Sequence, residues 1–339
     1  MRDINLWLDL LCCPKCRRDL RAEALVHADE VVISGSLVCA GCAASYPIIR
    51  GVPRFATDIQ AGEVNNTVEG FGYQWTQANP IVKDTAFSAQ ELFLDFIAPV
   101  TPAHFQGKVV LDGGCGLGRF TLLSQQFGAS RVVGLDLSSA VEAAFANTKH
   151  LPNVLIIQGD LLKLPLKQGF DYAFSVGVLH HTADPKSAFS SIVRVLKPSG
   201  SISAWVYGRE NNGWIIHVLN PLRQHVSSRL PRPVLWAVSY ALALPLYALI
   251  RLVYLPVERA ASLAWLRKWL FYFDYLCWLG KHCNFRETAL VIFDHLVPEI
   301  AEYIPRDEFE AWFTENALTG ITITSRANNS WRGFAHVSN

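Results

Sequence analysis

Charge is scarce in this chain: Asp, Glu, Lys and Arg make up 17% of 339 residues, while 51% are hydrophobic. That composition excludes a disordered tail, a collagen or a coiled coil, and the length exceeds what one small module needs. Charge of one sign is lacking too. Thirty Lys and Arg against 29 Asp and Glu leave a formal +1, so no global positive field holds a nucleic acid by counterion release. Eight cysteines are too few for a disulfide scaffold, and four of them form two short pairs near the start. A secretion signal is lacking as well, because Asp3 and Asp9 interrupt the first apolar run and no small-residue cleavage site follows. These absences lead to the expectation of a cytoplasmic protein. Internal repeats and low-complexity tracts are also lacking.

What is present divides into five stretches. Residues 1–56 hold the paired cysteines and end in YPIIRGVPRF, which reads as strand and turn. Residues 57–104 begin polar and rich in Gly and Asn, pass an aromatic cluster at Phe71, Tyr73 and Trp75, and then show a helical period through Phe87, Leu92, Phe93, Phe96 and Ile97. Residues 105–208 alternate short β-branched runs with helical patterns, the signature of βαβ units in a parallel, doubly wound sheet. Within them Asp184 reads as an N-cap, Pro185 as the first helical residue and Pro198 to Gly200 as the stop. Residues 209–288 break the alternation, are dense in Trp, Tyr, Leu and Pro, and read as an inserted helical lid. Residues 289–339 return to the core with a helix and two strands, ITITSR and RGFAHVS, joined by a short turn and therefore antiparallel.

The sharpest motif is VVLDGGCGLGRF, where an apolar strand runs into Asp112 and then glycines at 113, 114, 116 and 118. Glycine permits positive φ and a close backbone approach to a ligand at a strand end. The spacing fails the G-x-G-x-x-G pattern, since Arg119 stands three after Gly116, so a pyrophosphate reader is disfavoured. Asp136 ends the second strand and Asp160 follows the third. Three carboxylates at successive strand ends describe a pocket for a cationic nucleoside. With SVGVLHHTADP and LKPSG, these residues resemble the class I S-adenosylmethionine-dependent methyltransferases of the type 11 group, over roughly residues 105–207 and 305–338.

The resemblance implies a seven-stranded, mostly parallel Rossmann-like sheet with an antiparallel C-terminal strand. It implies S-adenosylmethionine as cofactor, with Asp112, Gly114, Gly116 and Gly118 under its methionine part, Asp136 on the ribose, and Asp160 with Leu161 beside adenine. Methyl transfer from a sulfonium is an in-line displacement helped chiefly by alignment and exclusion of water. If a proton must be taken from the nucleophile, His180 and His181 are the candidate bases.

Cys13 and Cys16, then 22 residues, then Cys39 and Cys42 form two C-x-x-C knuckles, the closed four-thiolate pattern of structural zinc. With YPIIRGVPRF they resemble the zinc-ribbon activator subunits of certain tRNA, rRNA and release-factor methyltransferases, here fused to the enzyme. Cys115, Cys277 and Cys283 are read as packed thiols. In the lid, residues 233–250 run uncharged between Arg232 and Arg251, touching the lower limit of a membrane span, but Pro245 and the return of both flanks to one domain argue against crossing. The segment 209–288 carries ten Lys or Arg and four acids. An apolar, cationic cover suits a hydrophobic or lipid-like acceptor, with Tyr73 and Trp75 nearby, and contact with a membrane surface. A nucleic-acid partner is not expected, because the first 58 residues hold seven basic and seven acidic side chains. The rival readings are an RNA methyltransferase that uses the ribbon on its substrate, and a cofactor-binding scaffold without catalysis.

Overall fold

The computed structural model describes residues 3–28, 31–56, 67–74, 89–298 and 300–338. Trp75, Phe87 and most of the expected 57–80 linker lie outside the described residues; residues 67–74 form a short helix, α1. Four antiparallel strands, β1 (Leu20–Ala28), β2 (Val31–Cys39), β3 (Ser45–Ile49) and β4 (Val52–Pro53), make the N-terminal sheet in sequential order.

The second sheet contains β5 (Val109–Gly113), β6 (Arg131–Asp136), β7 (Val154–Gln158), β8 (Phe170–Val176), β9 (Leu196–Tyr207), β10 (Leu318–Arg326) and β11 (Ser330–Val337), in the order β10-β11-β9-β8-β5-β6-β7. Neighbours from β7 to β9 pair in parallel, and only β11 runs against the rest. This is the seven-stranded sheet expected from the sequence. Both faces are covered, which is why β5 is buried at every residue. The period-2 alternation of a strand sends Val110 and Leu111 into opposite cores. Helices α2 (Ala89–Phe96), α3 (Arg119–Gln126) and α4 (Val141–Thr148) cover one face; α5 (Pro185–Val193) and α11 (Arg306–Glu315) cover the other. The strand order reverses beside β5, so a crevice opens at the carboxyl ends of β5 and β8, where ligands of such sheets bind.

Helix α5 starts as expected, with the Asp184 carboxylate accepting from Ser187 N at 2.9 Å and Pro185 in the first turn. It stops at Val193, earlier than the Pro198–Gly200 stop. Those residues lie inside β9 instead, in a bulge between the Phe170–Leu196 and Tyr172–Ser201 pairs.

The ribbon joins the sheet at its β7 edge. Phe55 N donates to the Gln158 carbonyl at 2.8 Å, and Cys12 N donates to the Pro165 carbonyl at 2.9 Å. Arg17 donates to the Leu164 and Leu166 carbonyls, and Arg131 grips Asp9 with two bonds of 2.9 and 2.8 Å. Gly51, at φ +80°, turns so tightly against α4 that a Cβ there would lie 2.2 Å from the Phe145 ring.

The insert leaves the sheet after β9 and returns at a bridge between Gly208 and Ile304. It contains α6 (Asn220–His225), α7 (Arg232–Leu249), α8 (Leu255–Arg259), α9 (Phe273–His282) and α10 (Phe285–Leu296). The expected limit at 288 therefore cuts α10, which packs on α7 through Leu235, Phe293 and Leu296 and belongs with the helices before it.

Candidate active site

A cavity of about 940 Å³ opens at the carboxyl ends of the parallel strands. At one end its wall is the loop after β5. Gly114, Gly116 and Gly118 have φ of +101°, +51° and +79°, a succession that side chains with a Cβ rarely adopt. At Gly114 the space is closed as well, since a Cβ would sit 2.2 Å from the Val178 side chain. Asp136, at the tip of β6, accepts from Gly116 N at 2.9 Å and from Ser138 N and Oγ at 2.8 and 2.7 Å. These bonds tie the loop to the second strand and fix the carboxylate at the cavity wall. Burial raises the Asp136 pKa, and the Ser138 and Gly116 bonds oppose that rise. Asp160 caps the following turn by accepting from Leu162 N at 2.9 Å, and with Leu161 it lines the same wall.

Not all of the expected residues reach the cavity. Asp112 is 2% exposed and lies behind the loop, accepting from Thr121 Oγ1 at 2.7 Å, with burial pushing its pKa up to about 7. Gly118 is the N-cap of α3 and sits beside Ala144. His180 is fully buried, its ring centre 4.0 Å from that of Tyr207 with the planes tilted by 34°, and neither ring nitrogen has a hydrogen-bond partner among the described residues. His181 does line the cavity. Its Nδ1 donates to the Ile300 carbonyl at 2.8 Å, because a carbonyl only accepts, and this leaves Nε2 as the acceptor nitrogen. Burial pushes the His181 pKa down to about 4, so the ring is neutral at pH 7. Tyr73 packs on Trp236 and Phe293 and does not line the cavity, a correction to its expected place near the acceptor.

The other end of the cavity is aromatic, and its wall could not be assembled from the sequence. Trp205 and Tyr207 come from β9, Tyr272, Tyr275 and Trp278 from the insert, and Phe96 from α2. Arg326 of β10 is held between Phe96 and Trp278, 4.4 and 4.3 Å from their ring centres, and donates to Asp95 at 2.5 Å. Asp294 of α10 accepts from Tyr207 OH at 2.7 Å and from Gln74 Nε2 at 3.2 Å. Gln74 Oε1, Trp205 Nε1 and His295 Nδ1 are buried in this wall without a hydrogen-bond partner among the described residues. The ribbon contributes Pro14, Lys15, Tyr46 and Phe55 to the rim.

The four ribbon cysteines converge. Their Sγ atoms all lie within 4.8 Å of one another, with Cys13 to Cys42 at 3.7 Å and Cys16 to Cys39 at 3.3 Å. A tetrahedral zinc with bonds of about 2.3 Å sets such separations near ~3.8 Å. Tyr46 OH donates to Cys13 Sγ at 3.1 Å, and Gly41 N and Cys42 N point at Cys39 Sγ, the outer donors a tetrathiolate site uses. The residues fit the metal. Cys13 and not Cys12 stands in this cluster, and Cys277 and Cys283 are buried in the insert's own core.

A glycine loop with three positive φ values, a carboxylate at the second strand tip and this strand order together define a class I S-adenosylmethionine-dependent methyltransferase domain. Residues 111–204 match the family described as methyltransferase domain, and residues 6–51 match the family described as Trm112p-like protein. The chain thus joins a methyltransferase domain to a Trm112-like zinc-ribbon domain. Among known proteins it is 37% identical over 99 residues to a tRNA U34 carboxymethyltransferase of Ruthia magnifica, covering 28% of this chain and 31% of that one. It is 37% identical over 100 residues to a demethylmenaquinone methyltransferase of Staphylococcus haemolyticus, covering 28% and 42%. Among solved structures, a chain in the complex of the Haloferax volcanii Trm112 methyltransferase activator with a methyltransferase aligns over 80% of this chain and 98% of that one, at 16% identity and a TM-score of 0.45. The chain spans about a third of the length of the first curated relative it matches.

Proposed function

We propose that this protein transfers a methyl group from S-adenosylmethionine to an apolar small molecule carrying an oxygen or nitrogen nucleophile. The observation that carries the reading is the two-ended cavity. Its 940 Å³ stand at the top of the range for one ligand, about 300–1,000 Å³, and leave room for cofactor and acceptor together. The polar end offers what a sulfonium nucleoside needs: backbone at Gly114 and Gly116, the Asp136 carboxylate for ribose hydroxyls, and Asp160 with Leu161 for the base. The aromatic end of Trp205, Tyr207, Tyr272, Tyr275 and Trp278 favours a flat or greasy acceptor. Gln74 Oε1, Trp205 Nε1 and His295 Nδ1, without a partner among the described residues, favour an acceptor with polar atoms, since a buried polar group left unpaired costs about 1–3 kcal/mol.

In this reading the cofactor supplies an activated methyl group, and the chain aligns the partners and excludes water. His181, neutral and with Nε2 free to accept, is the base that would take a proton from an O or N nucleophile. His180, without access to the cavity, would support the Tyr207 ring beside it.

A second reading, RNA as the acceptor, draws on the relatives named tRNA U34 carboxymethyltransferase and on the Trm112-like domain. These relatives weigh against dismissing a nucleic-acid partner on charge alone. One such relative, from Psychromonas ingrahamii, aligns over 205 residues at 26% identity, whereas the demethylmenaquinone enzyme matches over a stretch as short as the Ruthia one and at equal identity. The test is incubation of the zinc-loaded protein with methyl-labelled cofactor and a cell extract, followed by separation into lipid, RNA and protein. Label in the organic phase is expected; label in RNA alone would replace this reading with the second.

A further inference from the structure

The helix formed by α7, a π-helical turn and α8 runs from Arg232 to Arg259 and has 22% of its most apolar 18-residue window buried. Its inner face, Leu235, Ser239, Ala243, Ile250 and Tyr254, is covered by the rest of the insert. The stripe flanking it, about 100° round the helix, is as greasy and is bare: Val234, Val238, Leu242, Leu249 and Leu252 follow at helical spacing, with Leu242 48% and Leu252 76% exposed. Trp265, Trp269 and Phe271 stand out beside it, the two tryptophans at 62% and 74% exposure. A soluble protein seldom leaves an apolar patch of this extent open without a partner for it.

The charges name the partner. Between 209 and 303, the insert as the structure bounds it, ten cations face seven acids, a net +3, and no acid lies between Arg232 and Leu249. Of the acids, Glu258 is paired with Lys281 at 2.6 Å, Glu210 accepts from Trp331 Nε1 at 2.8 Å, and Asp294 accepts from Tyr207 OH inside the cavity wall. Arg251 and Arg259 are exposed on this same helix, and Arg229, Arg267 and Lys268 are exposed on the segments just before and after it. The Arg251 guanidinium lies 5.0 Å over the Tyr247 ring and the Lys268 ammonium 5.5 Å over the Trp269 ring, so cation and aromatic stand side by side on this surface. Apolar stripe, tryptophans and a basic border together match an anionic lipid surface. A second copy of the same face would bring like charge against like. Crossing the bilayer is disfavoured, because the inner face of this helix packs on α10 and its two ends re-enter the same insert.

We propose that the outer face of α7 and α8, with the Trp265–Phe271 segment, docks on an anionic lipid bilayer. The patch is continuous with the cavity: Phe271 stacks on Tyr272 at 5.6 Å, and Tyr272 is cavity wall. This deepens the proposed function, since a lipid-soluble acceptor then reaches the site from the membrane side, and it rests on that reading only for what the docking serves.

The test is flotation of the full zinc-loaded chain with vesicles of phosphatidylcholine containing 30% phosphatidylglycerol, against vesicles of phosphatidylcholine alone. The protein is expected to float with the anionic vesicles, to float at least tenfold less with the neutral ones, and to release as salt is raised. A triple variant, Leu242→Glu, Leu249→Glu and Leu252→Glu, changes exposed positions only. It is expected to lose binding at least tenfold while keeping its thermal midpoint and its affinity for S-adenosylmethionine. A monodisperse wild type that stays unbound at both compositions overturns the proposal, as does a wild-type dimer that the triple variant converts to monomer. Docking with methyl label in RNA alone upholds the surface and removes the acceptor reading; absence of docking with label in lipid does the reverse.

Discussion

The ribbon and the insert are both additions to one sheet, both contribute to one cavity, and they are attached in opposite ways. Trp7, Leu10, Leu11, Leu37 and Tyr46 of the ribbon belong to the same continuous core as Leu111, Leu155 and Phe189 of the sheet. The insert keeps cores of its own, one around Ile250 and Cys277 and another around Leu235 and Phe293. Its links to the sheet include Tyr272 to Asn329, Tyr207 to Asp294, the His295 ring on Tyr207 and Arg326 to Trp278. Shared core makes the ribbon a structural extension of the domain. Separate cores make the insert a unit whose packing does not depend on the sheet's.

The contrast breaks first at the metal. Structural zinc contributes about 10–16 kcal/mol of binding energy to folding, so Cys39→Ser or strong chelation should destabilise the whole methyltransferase domain and not the ribbon alone. Thermal unfolding would show one cooperative transition at a markedly lower midpoint; an unchanged domain transition with a separately melting ribbon would mean that the two cores are independent.

Next in size is a pH effect from the insert's side of the cavity. His181 has a folded pKa of about 4, set by burial, below the ordinary value of about 6.5 in an unfolded chain. The unfolded chain takes up the proton first, so stability is full above about pH 6.5, falls as pH drops, and levels off near 4, for at most about 3 kcal/mol. Burial also pushes His104 down to about 4, and it acts in the same direction. Urea unfolding from pH 7.5 to 4 should show this slope, flattened but not abolished in His181→Gln.

Smaller again is the seam between ribbon and sheet. Arg54 is 8% exposed and donates to Gln158 Oε1, to the Ile49 carbonyl and to Glu142. Arg54→Met should cost about 2–3 kcal/mol, as for buried hydrogen bonds to charged groups, measured by urea unfolding. Smallest is the outer stripe of the insert, where Val238→Ser should change stability by less than about 0.5 kcal/mol, because nothing packs on that side chain from outside.

Much of the sheet was legible in the sequence because its signals are local: β-branched runs, a glycine loop after the first, Asp184 before Pro185. The cysteine cluster was legible for the same reason, each knuckle being a four-residue pattern. The cavity's second half was not. Arg326 meets Phe96 and Trp278 only through the fold, and Asp294 meets Tyr207 and Gln74 across some ninety and two hundred residues. The alternating strand code could not reveal that Asp112 turns inward to Thr121 while Asp136 lines the cavity, since both end apolar runs. Nor did it show that Tyr46 and Phe55 of the ribbon would reach the rim. An excess of Trp and Tyr in the insert was the one available hint of an aromatic wall.

The central claim is that the glycine loop and Asp136 bind a sulfonium nucleoside. Calorimetric titration of the zinc-loaded protein with S-adenosylmethionine tests it directly. Micromolar binding is expected for the wild type, weakened roughly 100-fold in Asp136→Ala by loss of about 3 kcal/mol of charge-assisted hydrogen bonding. A folded wild type that releases no heat, or an Asp136→Ala protein that binds as tightly as the wild type, would contradict it.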